Sequence, residues 1–154
     1  MIEEAFLWLG HTAPGVALQQ SRIAFAATEA IHIIGLSLVG GAILVADLAV
    51  LGIVLKSTPS QSVFEQMRLP YRLALCVVAA SGVLLVAAGP YKYYTNPLFP
   101  IKLGLLVIAA TLHAVLSKRV RRSLSTDSVS RGIATASLVA WTSVVIAGRW
   151  LGLI

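Results

Sequence analysis

Cysteine is nearly missing from this sequence. Cys76 is the single one, which excludes an intrachain disulfide, a CxxC redox pair and covalent CxxCH haem attachment. It lies within an apolar run and is expected to be a small core residue. Charge is also scarce: Asp, Glu, Lys and Arg make up 12% of the chain, against about 25% in soluble domains. Acidic residues are the scarcest, six against twelve Lys and Arg, for a net charge of +6. That surplus would fit nucleic-acid binding if it were clustered on one polar face. Instead the cations occupy short loops between apolar runs, so they read as membrane-topology signals and no nucleic-acid partner is expected. Gly-rich phosphate loops, an HExxH pair and a GxSxG elbow are absent, and the loops are too short to build a soluble active site, so catalysis by this chain alone is not expected. The start, MIEEAFLWLGHTAPG, has no basic n-region and does not resemble a cleaved signal peptide.

What is present is apolar. Hydrophobic residues make up 58% of the chain and the mean hydropathy is +0.88. A membrane-crossing helix needs about 20 apolar residues, and four such stretches stand near 23–55, 71–90, 101–117 and 132–152. The runs are continuous, without the alternation of a β-barrel. The expectation is an all-α integral membrane protein, a single domain over 1–154 folded as an up-down-up-down four-helix bundle. The first span is long, roughly 50 Å, and must tilt, kink near Gly40 and Gly41, or project beyond the lipid. A short N-terminal interfacial helix is expected ahead of it, with Phe6, Leu7, Trp8 and Leu9 in the interface, Glu3 and Glu4 in water, and Pro14-Gly15 ending the segment. Small residues on the first span, Ser37, Gly41, Ala42 and Ala46, permit close packing. Cations concentrate in the loops after spans one and three, so the positive-inside rule puts both termini outside the cell. Trp8, Tyr91, Tyr93, Tyr94 and Trp150 then form an outer aromatic belt. The loop arginines are expected to set topology and to meet lipid headgroups.

Polar groups inside spans are costly and need a partner or a purpose. Glu29, His32 and Asp47 fall within about 60° of one another at about 100° per residue, giving one stripe expected to face the bundle interior. On the fourth span Arg131, Thr135, Leu138, Thr142 and Arg149 form a second stripe. An antiparallel register that pairs Glu29 with Arg149 also opposes Asp47 to Arg131; Arg72 and His113 are the other candidate partners of Asp47. The E-x-x-H spacing of Glu29 and His32 resembles bundle metal sites, and His11 could add a second imidazole beneath Tyr91 and Tyr94. A haem between His32 and His113 fails on depth, the two lying about 36 Å and about 7 Å from the inner helix ends. Haem would instead need His32 with His11, His113 with a non-histidine ligand, or five-coordinate iron.

The run Glu29 to Gly52, with Glu29, His32, Gly35, Asp47 and Leu48, is similar to the first-helix signature of an uncharacterised bacterial family of small four-helix inner-membrane proteins. Arg68-x-Pro70, Gly82, and Tyr94-x-Asn96-x-x-Phe99-x-x-Lys102 resemble that family's second and third helices, while His113 stands where the family pattern has asparagine. Phe99-Pro-Ile-Lys102 more distantly resembles the copper-resistance D type of membrane domain, which implies metal handling. Only Met1 and Met67 supply thioethers, both outside the spans, which argues against a Met-rich copper pathway.

The leading functional expectation is a redox or metal- or haem-binding subunit of the bacterial inner membrane, with haem b or a transition metal as the candidate cofactor. Its outer-side site would comprise His32, Glu29 and His11, with Arg149 contacting a propionate and His113 a further cofactor candidate. The alternatives are a non-catalytic accessory or scaffold subunit, docking against a membrane-protein partner or a second copy, and proton or small-solute transport along the polar stripe.

Overall fold

A computed structural model describes residues 2–122 and 127–153, and among these every regular element is helical. Two short helices, α1 (Ile2–Gly10) and α2 (Ala13–Gln20), precede the long α3 (Arg22–Val50) and α4 (Ser60–Ala88). The short α5 (Pro90–Thr95) leads into α6 (Leu98–Arg122), and α7 (Ser128–Leu153) completes the chain. Four of these, α3, α4, α6 and α7, are long and apolar enough to cross a membrane, so the protein is an all-α, multi-pass four-helix membrane protein. Residues 123–126, between the third and fourth spans, lie outside the described residues.

Local chemistry sets each boundary. The Ser21 hydroxyl accepts the Ala24 N–H at 3.2 Å and caps α3. At the other end Ile53 N–H reaches Leu48 C=O at 3.0 Å and Gly52 N–H reaches Ala49 C=O at 3.1 Å. This paired closure requires a left-handed residue, supplied by Gly52 at φ 73°. The first span therefore ends at Val50, five residues before the sequence expectation of 55. Pro14 does not end the N-terminal segment; it sits in the first turn of α2, where a missing N–H costs nothing, and Thr12 caps that turn. α4 differs most. It starts at Ser60, not near 71, and runs straight through Pro70. Proline deletes one ladder hydrogen bond, but membrane helices tolerate it when packing holds the neighbouring turns.

α3 packs along α4 and α6 along α7, giving two antiparallel hairpins; α3 also lies against α7, and α4 meets α6 more sparsely than α3 meets α7. Gly35 allows a close approach of α3 to α4, since a Cβ there would stand 2.9 Å from Val78 Cγ2. Buried Val39, Ile43, Ala74, Val78, Ala109, Ala140, Trp141 and Val144 fill the middle of the bundle. A second cluster, including Ala46, Val50, Phe64, Leu116 and Ala134, fills the end beside the α3–α4 and α6–α7 connections. We call this the basic end and the opposite one the aromatic end. At the aromatic end Phe6 of α1 packs on Tyr94 and Phe99, and the Gln19 amide donates to both Gly10 C=O and Ala87 C=O at 3.0 Å. Trp8, Tyr91, Tyr94 and Trp150 are exposed there, whereas Tyr93 is half-buried against Phe99.

Several expectations about facing are corrected. Ala42 and Ala46 are buried, but Ser37 and Gly41 are exposed. Cys76 is also exposed, on the outer face of α4 and not in the core. On α7, Arg131, Thr135, Thr142 and Arg149 point outward, and the helix buries Ser130, Ala134, Ser137, Trp141 and Val144 instead.

Candidate functional site

Two polar layers interrupt the apolar interior, one near each end. At the aromatic end the His32 Nδ1 lies 2.9 Å from Ser81 Oγ. Ser81 has one proton and gives it to the Val77 carbonyl at 2.6 Å, so its oxygen accepts from His32 Nδ1–H. In that arrangement Nε2 carries the lone pair. The ring rests over Gly82, where a Cβ would come within 3.3 Å of Cε1. Glu29 and Lys102 lie within electrostatic range of the ring, and Lys102 runs along α7 at Gly148. Burial, and secondarily the charge of Glu29, push the Tyr93 phenol pKa up.

Glu29 is exposed and does not line the interior with Asp47. Arg149 is exposed too, and no ion pair joins it to Glu29 among the described residues. His11 is exposed at the α1–α2 junction and makes no described contact with His32. Among the described residues no three of His, Cys, Asp and Glu converge, so His11, Glu29 and His32 do not assemble as a metal-ligand set.

The layer towards the basic end is the drier one. Asp47 is completely buried, and neither carboxylate oxygen has a hydrogen-bond partner. Among the described residues the titratable group beside it is neither Arg131 nor Arg72 but His113, whose Nδ1 stands 3.9 Å from Oδ1. That is beyond hydrogen-bond length. Ser137 of α7 is the other polar neighbour. His113 Nδ1, Ser137 Oγ and Trp141 Nε1 are also buried without partners. The imidazole is clasped between Tyr71, 4.6 Å centroid to centroid, and Phe64, 5.6 Å away and nearly parallel at 24°. Each spanning helix contributes: α3 the acid, α6 the imidazole, α4 the two rings and α7 the serine. Tyr71, Ser137 and Trp141 carry no motif; a serine buried within a span is the signal that could have found one of them.

His113 also forms the floor of a cleft of about 200 Å³ that opens between α4 and α6 towards the basic end, with Arg68, Arg72, Lys118 and Arg121 on its walls. The early start of α4 puts Arg68 and Arg72 on a helix wall, not in a loop. This volume admits a group the size of a phosphate and falls below the about 300–1,000 Å³ of typical cofactor pockets.

A buried acid–imidazole pair, shared by four spanning helices and approached through a basic cleft, defines a polytopic membrane protein with a polar site inside an apolar bundle. The chain belongs to a family of unknown function, DUF6644, whose model matches residues 5–154. No curated protein and no solved structure matches it significantly.

Proposed function

We propose that this protein is a small proton-handling membrane carrier, moving protons alone or with a small solute, in which Asp47 and His113 are the working pair. The observation that supports this reading is the carboxyl group of Asp47, fully buried with both oxygens unpartnered and an equally unpartnered imidazole nitrogen 3.9 Å away. An ionised, unpaired acid is expensive in the bilayer interior. Two arrangements lower that cost: a protonated acid beside neutral imidazole, or carboxylate beside imidazolium. They differ by one proton passed from the Asp47 carboxyl to His113 Nδ1, and an approach of about 1 Å brings the atoms to hydrogen-bond distance. The cleft at His113 gives this pair a route to the basic end, which the positive-inside rule assigns to the cytoplasm of a bacterial inner membrane, with both termini outside.

Proton uptake into proteoliposomes, followed with an entrapped pH-sensitive dye, tests the reading. Asp47→Asn is expected to abolish it, and uptake at the wild-type rate would overturn the proposal.

A second reading rests on His32, whose Ser81 hydrogen bond leaves Nε2 free to ligate haem or a metal ion, as outer-shell bonds commonly prepare histidine ligands. A Soret band or stoichiometric metal in the purified protein, lost in His32→Ala, is its signature; colourless, metal-free protein removes it.

A further inference from the structure

We infer that the cleft between α4 and α6 is a phosphate-binding site, occupied by the headgroup of an anionic phospholipid or by free phosphate. This does not depend on proton handling by Asp47. Arg68 and Arg72 lie one turn apart on α4, and Lys118 and Arg121 one turn apart on α6, so each pair shares a helix face. All four line the same opening. Four like charges around one cleft repel one another unless an anion sits among them. The protein supplies little compensation: Glu65 stands 3.8 Å from Arg121, while Arg68, Arg72 and Lys118 have no ion pair among the described residues.

The chemistry of the walls narrows the ligand. Two arginines offer planar donor forks that match phosphate oxygens, and the lysine adds a point charge. Ala42 and Ala46, both buried, and the exposed Ala114 line the cleft with short side chains and make room between α4 and α6. About 200 Å³ holds one phosphate group. The apolar outer faces of α4 and α6 beside it, with Leu69, Leu73 and Val115 exposed, are surfaces along which acyl chains can lie.

The test uses the full chain in neutral detergent, with phosphatidylglycerol, phosphatidylcholine and inorganic phosphate as separate probes. Phosphatidylglycerol is expected to bind and phosphatidylcholine not. Arg68→Gln with Arg72→Gln should weaken that binding about 25-fold, from about fivefold per cation near a charged headgroup. Arg131→Gln, exposed on α7 and outside the cleft, should leave it unchanged. Lys118→Gln alone, with an expected loss of about fivefold, serves if the double variant fails to fold. Binding of phosphatidylglycerol that inorganic phosphate does not displace identifies the lipid as the source; saturable binding of inorganic phosphate that the same variants weaken identifies the free anion. If neither probe binds, or if Arg131→Gln weakens binding as much as the cleft variants, the site is refuted.

Discussion

Replacing His113 separates its packing role from its chemistry. The ring is 8% exposed and stacks on Phe64 and Tyr71. Each aromatic pair contributes about 0.5–1.5 kcal/mol, so His113→Ala should destabilise the fold by about 1–3 kcal/mol. The about 3–5 kcal/mol typical of Phe→Ala in a water-soluble core includes a transfer term from water, and lipid-exposed unfolded helices lack much of it. His113→Phe keeps both ring contacts, discards a buried nitrogen without a partner, and can place its larger ring against the open cleft. It should fall within about 1 kcal/mol of the wild type, as volume-tolerant swaps do. It also removes the base nearest Asp47, so proton uptake should drop at least about tenfold, the equivalent of about 1.4 kcal/mol. Reversible unfolding in mixed micelles, followed by circular dichroism, measures the first quantity, and the proteoliposome assay the second. Equal destabilisation by Ala and Phe would refute the packing argument. Wild-type uptake by the Phe variant would refute the chemical one.

Gly35→Val forces a branched side chain into the α3–α4 contact, where even a Cβ would meet Val78 Cγ2 at 2.9 Å. Overpacking of this kind costs about 1–3 kcal/mol, and the same unfolding assay should show it; a melt at the wild-type midpoint would mean that the helices are not in close contact there. Asp127 ties the end of α6 to the start of α7, accepting a hydrogen bond from Arg119 Nη2 at 2.6 Å and another from Ser130 N–H at 3.0 Å. The Arg119 hydrogen bond foremost, with those from Ser130, holds its carboxyl well below the usual carboxylate range. A depressed folded pKa means that the contribution is complete above the unfolded value of about 3.9 and is lost as pH falls through the folded one. The stability difference between wild type and Asp127→Asn should therefore shrink as pH drops from about 5 to about 3. Parallel curves over that range would show that Asp127 is not held by these bonds.

The four spans were legible because a run of twenty apolar residues has few alternative fates, but the stop at Gly52 was passed over because the apolar run continues to Leu55. The start of α4 was not. Arg68, Pro70 and Arg72 read as a loop because charge and proline usually mark one. In this protein the cations line a cleft along the first half of α4 and the proline is exposed, so neither is an obstacle to the helix. The consequence reaches the site: the eleven added residues, 60–70, carry Phe64 against His113 and Arg68 to the cleft that His113 lines.

The facing errors have a different origin, in the period and the solvent. Asp47 and Glu29 are 18 residues apart, whole turns at 3.6 residues per turn. Yet the buried positions of α3 recur as Gly35, Val39, Ala42, Ala46 and Ala49, steps of four and three that mark a heptad seam. Over 18 residues a seam of 3.5 residues per turn drifts by about 50° from the straight-helix phase, enough to turn Glu29 out while Asp47 is buried. On α7 the assumption that polar residues face inward fails for the threonines. Thr135 donates to Arg131 C=O at 3.1 Å and Thr142 to Leu138 C=O at 2.8 Å. Each hydroxyl is satisfied by its own helix, so it can face lipid without cost to a partner. The faces that pack carry Ser130, Ala134 and Ser137 because small side chains let backbones approach where lipid supplies no hydrophobic drive between helices. The unsatisfied groups mark the site better than polarity does: Asp47 and His113 are polar atoms that neither their own helix nor a neighbour has paired.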